Sequence, residues 1–182
     1  MSIQNLWTKN RPLLQFLGVA FIFYISWSVI NGLLIEPDSG INVWLRDSES
    51  FLASGFFNIC GFDITYYHFS ERQTMLCMSS DCLIGISNGC NALILFIIYT
   101  GFIVAYPAAL KSKVLYFIIG NVLIYAINMV RIIALIFIRI YAPDYLDFNH
   151  HYVFTILVYG SIFLVWRHFV QRHPLITKHL SK

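Results

Sequence analysis

Four long apolar runs, Leu13–Ile35, Asn91–Ala109, Val114–Ile140 and His151–Val170, contain no acidic residue, and they constrain this chain more than any other feature. Crossing a hydrocarbon layer about 30 Å thick takes roughly 20 helical residues. Backbone groups find no water there, so a spanning segment is either a helix or part of a closed barrel. Continuous apolarity, in place of the alternation of a barrel strand, selects the helix. Composition agrees: 58% of the residues are hydrophobic and 12% charged, against roughly a quarter charged in soluble domains. The expected fold class is all-α integral membrane, with about four transmembrane helices (13–35, 91–109, 114–140, 151–170) in a single membrane-embedded domain, 1–182.

Charge sets the expected orientation. Lys9 and Arg11 precede the first run, Lys111 and Lys113 join the second to the third, and Arg167, Arg172, Lys178 and Lys182 mark the end of the fourth. Positively charged loops stay in the cytoplasm, which puts both termini there. All nine acidic residues then fall on the outer side, against only Arg46 and Arg72 in its loops. The net charge of +3 reads as membrane orientation, and no nucleic-acid partner is implied, because the basic residues are dispersed and no binding motif accompanies them. The first run is too long for a signal peptide and no small-residue cleavage site follows it, so it is expected to be retained.

The segment 36–89 forms the outer cap in this reading. Ile41, Trp44, Leu45, Leu52, Phe56 and Ile59 recur near helical spacing, with Asp38 or Ser39 as cap, which predicts an amphipathic interfacial helix. DITYYHF, the polar stretch SERQ and then TMLCM predict a β-hairpin. Cys60, Cys77, Cys82 and Cys90 all lie on the outer side. No C-x-x-C pair occurs among them, and one or two structural bridges, Cys77 to Cys82 for example, are the plain reading.

Cys90 stands apart because SNGCNAL leads into the first turn of the second run, where backbone N–H groups favour a thiolate. Arg131, within NMVRIIALIF, costs several kcal/mol in lipid unless it finds partners. Asn121 and Asn128 share its helical stripe, which should face the interior, either as a hydrogen-bonding network or as part of a site. Arg139 reads as a snorkelling residue. His150 and His151 open the fourth run, with Asp147 or Asn149 as N-cap. No metal site is implied, since carboxylates and histidines do not recur at ligand spacing in the runs. Topology brings a thiol, an imidazole and a cation to one leaflet, the set that acyl transfer through a thioester needs.

These residues resemble the exosortase and archaeosortase family of membrane-embedded cysteine transpeptidases. Cys90-Asn91-Ala92-Leu93 is similar to the C-x-G-[IL] element, Asn128-Met129-Val130-Arg131-Ile132 to N-x-x-R-[VI], and His150-His151 stands where a family histidine opens a later helix. SNGCNALILF and FNHHYVFTILVYG are most similar to the short exosortase F branch of Bacteroidetes. Ala92 departs from the family glycine. The resemblance covers roughly Val43 to Trp166.

The resemblance implies a protease or transpeptidase at the outer face of a bacterial inner membrane. It would act on exported proteins whose C-terminal sorting signal includes a membrane helix, and pass them to an amine-bearing surface acceptor. Cys90 would be the nucleophile, Arg131 would stabilise the oxyanion or orient the thiolate, and His151, followed four residues later by the small Thr155, is preferred over His150 as acid. Asn128 and Asn91 would support them, and no cofactor is implied. Two rival classes are a quinone-coupled disulfide oxidase, which needs two exchanging cysteine pairs, and a non-catalytic assembly or transport subunit in which the polar stripe only joins helices.

Overall fold

Helix α1, Ile3–Leu33, opens the computed structural model, which describes residues 3–33, 40–70 and 72–173. Helix α2, Gly40–Ile59, follows, then strands β1 (Ile64–Ser70), β2 (Gln73–Met78) and β3 (Asp81–Ser87). Helices α3 (Leu93–Ala105) and α4 (Leu110–Tyr141) come next. A 3-10 turn at Pro143–Tyr145, the single turn α5 (Leu146–Phe148) and a π-helical turn at Asn149–Val153 lead into α6, Phe154–Arg172. The proposed caps Asp38 and Ser39, like the basic residues Lys178 and Lys182, lie outside the described residues.

The chain is mostly helical, and among the described residues two helices are long and apolar enough to cross a membrane: α4 and the continuous helical segment Pro143–Arg172. α4 covers the third apolar run, and the segment Pro143–Arg172 contains the fourth but begins eight residues ahead of it. The other two runs yield shorter apolar helical stretches, Leu14–Val29 within α1 and Leu93–Ala105. At about 1.5 Å per residue, α3 is roughly 20 Å long. Pro107 falls in the short α3–α4 connection, where its missing N–H cannot interrupt a helix.

The expected hairpin is present, and a third strand extends it. β1 pairs antiparallel with β2, and β2 with β3, in the order β1-β2-β3. Cys77 and Cys82 face each other across β2 and β3 and form a disulfide. β3 escaped the sequence reading because its turn, Ser79-Ser80, lacks the glycine or asparagine that usually marks a two-residue hairpin. Ser79 nevertheless adopts φ 56°, the left-handed conformation such a turn uses.

Two cores sit along α4. Towards its C-terminal end, Ile132 and Ile136 pack with Ala53 and Phe57 of α2 and with Ile64, Leu76 and Ile86 of the sheet. Nearer its N-terminal end, Ile124 and Tyr116 pack with Tyr99, Ile103, Tyr106 and Phe169. Gly120 permits that second contact: a Cβ there would lie 2.0 Å from the Tyr99 ring. Tyr99 lies against α4 and donates its hydroxyl to the Tyr116 carbonyl at 2.7 Å.

Helix α2 buries a mixed face, on which polar side chains join Leu45, Ala53 and Phe57. Ile41, Trp44, Phe51, Leu52, Phe56 and Ile59 are exposed, whereas Asn42, Arg46, Glu49, Ser50 and Ser54 are buried. Of the apolar positions expected on one face, only Leu45 is buried. Buried polar groups need hydrogen-bond partners, and the partners of Asn42, Arg46 and Glu49 belong to the site, whereas Ser54 donates to the Phe51 carbonyl of its own helix.

Candidate functional site

The loop between β3 and α3 carries Cys90. A turn closes it, with Cys90 N–H donating to the Ser87 carbonyl at 2.9 Å. The helix begins only at Leu93, so Cys90 precedes the first turn of α3, and the expected placement within that turn needs correction. Ala92 is the reason. It adopts φ 57° and ψ 7°, a left-handed conformation that interrupts the helical path and disfavours any residue with a Cβ. This is the position at which the resembled motif carries glycine.

Three polar links from α2 and α4 grip the loop. Arg46 donates to the Asn88 side-chain carbonyl. Asn91 donates its amide to Asn42 Oδ1 at 2.8 Å and accepts the Leu93 N–H at 3.1 Å. Asn128 donates one amide hydrogen to Glu49 Oε1 at 2.7 Å and directs Nδ2 also to the Cys90 carbonyl at 3.0 Å. Glu49 is fully buried. Desolvation raises its pKa to about 7, against the lowering effects of the Asn128 hydrogen bond and the Arg131 charge.

Arg131 and His150 complete the group around the thiol. His150 Nε2 lies 3.7 Å from Cys90 Sγ, Arg131 Nη2 lies 2.9 Å from the same Nε2, and Arg131 Nη2 is 4.0 Å from Sγ. A guanidinium only donates. In this arrangement His150 Nε2 is therefore an acceptor and the imidazole is neutral.

The resemblance favours His151, but the structure directs its ring to Asp147. Its Nδ1 lies 3.0 Å from the Asp147 carbonyl and 3.1 Å from Asp147 Oδ1, with the side chain 60% exposed. The π-helical turn explains the change. It accommodates more residues per turn than an α-helix, so a spacing of four counted back from α6 does not carry through Asn149–Val153. Neither Asp147 nor Asn149 caps α6; Asn149 donates to the Tyr145 carbonyl at 2.8 Å.

The stripe on α4 is divided too. Asn128 and Arg131 reach the site, but Asn121 donates to the Phe117 carbonyl of its own helix at 2.7 Å. Arg139 is exposed. Asn42, Arg46, Glu49 and Asn88 were not singled out from sequence. Their signal was the polar spacing 42, 46, 49 on α2, the complement of the apolar face.

A cavity of about 440 Å³ opens on Cys90, Arg131 and His150 and continues along β3. A second, of about 220 Å³, touches Arg131 from the side of Gly89, Ala92 and Val158. Among the described residues no cluster of three or more His, Cys, Asp or Glu side chains is arranged to hold a metal ion. Comparison with family models, with curated proteins and with solved structures gives no match.

Proposed function

We propose that this protein is a membrane-embedded cysteine peptidase or transpeptidase acting at the outer face of a bacterial inner membrane. The observation that carries the reading is the contact of one thiol, one imidazole and one guanidinium at 2.9 to 4.0 Å beside a cavity. Arg131 shifts from His150 Nε2 to the sulfur 4.0 Å away, and the freed Nε2 takes the Cys90 proton as the sulfur attacks the scissile carbonyl. Arg131 compensates the charge on sulfur and then on the tetrahedral oxyanion. As the intermediate collapses, His150 returns the proton to the leaving amine. An amine or water then attacks the thioester and releases Cys90.

In this reading four helices cross the membrane, both termini are cytoplasmic, and α2 lies in the outer interface with Trp44, Phe51 and Ile59 towards lipid. Their exposure supports it, since water-soluble surfaces rarely present such a patch. Substrates are exported proteins ending in a membrane helix. The oxidase alternative is weaker: Cys77 and Cys82 are bonded to each other, and Cys90 contacts a base and a cation.

The test follows a tailed exported protein in cells carrying wild-type protein or Cys90→Ala. Processing and a mass-detectable thioester are expected only with Cys90. Unchanged processing in the variant overturns the mechanism. A reporter after Lys113 is expected in the cytoplasm and one in the β1–β2 turn outside.

A further inference from the structure

The larger cavity is lined by Leu83, Ile84, Gly85 and Ile86, four consecutive residues of β3. Successive side chains in a strand point to opposite faces. A cavity that touches all four therefore meets the strand along its edge, where the backbone lies. Gly85 makes the point directly. It has no side chain to offer, and a Cβ built there would run into Gln73 at 2.0 Å and Met75 at 2.8 Å on β2. What Gly85 presents to the cavity is main chain.

β3 is also an outer strand of the sheet, hydrogen-bonded on one side to β2. Alternate residues direct N–H and C=O towards β2, and the intervening ones direct theirs to the free edge. Such an edge is a template for another extended chain. Cys90 lies three residues beyond the last residue of β3 and lines the same cavity, whose remaining wall includes Ile132, Leu135 and Leu146.

We infer that β3 binds the substrate by strand addition, holding an extended polypeptide segment along Leu83–Ile86 and delivering its carbonyl to Cys90. This rests on the acyl-transfer reading for the identity of the occupant as polypeptide. Main-chain pairing supplies affinity that is tolerant of sequence, and the apolar wall selects alternate side chains. The cavity volume of about 440 Å³ suits a few residues and excludes a folded element.

The experiment uses the full chain with Cys90→Ala in lipid nanodiscs, so that binding is separated from chemistry. The probe is a synthetic peptide with an alternating valine and threonine segment, continued by a leucine-rich membrane helix and terminal lysines; the anchor raises its local concentration. Residue-resolved hydrogen exchange is expected to slow about tenfold at the edge-facing amides within Leu83–Ile86, the equivalent of about one net hydrogen bond. N-methylation of the probe at one parity of alternate amides should abolish the slowing, and at the other leave it. No slowing at β3, or slowing indifferent to parity, overturns the inference. Wild-type protein distinguishes the two proposals: β3 protection without acylation of Cys90 defeats acyl transfer and leaves strand addition standing, whereas acylation without β3 protection does the reverse.

Discussion

The two ends of α4 solve the same packing problem with different chemistry. Around Tyr116 and Ile124 the contacts are aromatic: Phe102, Tyr106, Trp166 and Phe169 meet with ring centroids 4.8 to 5.7 Å apart. Around Asn128 and Arg131 buried amides, a carboxylate and a guanidinium meet instead. Shape-driven packing loses contacts gradually as side chains are trimmed. A polar network is less forgiving, because each lost partner leaves a buried group unsatisfied. The aromatic end therefore serves as scaffold, and the polar end determines where one sulfur atom sits.

The sharpest test of that division removes the reactive group. Cys90→Ala is expected to abolish thioester formation, and Arg131→Lys to impair turnover although charge is kept, because an ammonium lacks the planar donor fork. The double variant Cys90→Ala with Arg131→Ala should be hardly worse than either single variant, since residues acting as one unit are not additive. Rescue of activity by lysine would reduce Arg131 to a point charge.

Next in size is the contrast between neighbouring histidines. His150→Ala should lower the rate of substrate processing by about 10²-fold, the contribution of a general acid–base group, and His151→Ala should change it about twofold at most. Equal losses, measured at matched membrane levels, would break the geometric distinction between them.

Glu49 gives the polar end a pH signature. Its pKa is raised from 4.5 to about 7 by burial. Below 4.5 the folded and unfolded chains are both protonated there; as pH rises, the unfolded chain gives up its proton first. Stability should therefore fall between about pH 4.5 and 7, by up to about 3 kcal/mol, and level off above. Glu49→Gln retains an acceptor for Asn128 and should flatten this slope in thermal unfolding of the detergent-solubilised protein. An unchanged slope would show that another group carries it.

At the aromatic end, Tyr99→Phe removes the hydroxyl bonded to the Tyr116 carbonyl and should cost about 1 kcal/mol. The alkylation rate of Cys90, followed by mass spectrometry, should not move. A change in that rate would couple the two ends. The smallest expected effect is Ala92→Gly, which relieves a left-handed alanine and should raise stability by less than about 1 kcal/mol, read as a small upward shift in melting temperature.

Legibility followed the range of the interaction. Arg131 could be assigned to the interior from sequence because an arginine in an apolar run needs partners wherever it occurs. The hairpin arms and the bounds of α4 were legible for a similar local reason: hydrophobic period and turn residues are written within a few positions. Asn42, Arg46 and Glu49 were less visible, since an apolar face draws attention before the polar face opposite. Their partners Asn91, Asn88 and Asn128 lie 49, 42 and 79 residues away.

By itself the sequence marked four apolar runs as membrane-spanning, of which two form helices long and apolar enough among the described residues, and it determined that a β-hairpin follows α2 and which thiol and guanidinium were candidates for one site. Tertiary structure alone decided that His150, and not His151, meets them, that β3 lines the cavity, and that α2 buries polar side chains beside apolar ones. The physical reason is that helical period and composition act along the chain. The phase of a histidine through a π-helical turn, the outer edge of a third strand and the partner of a buried carboxylate depend on which distant groups pack against them.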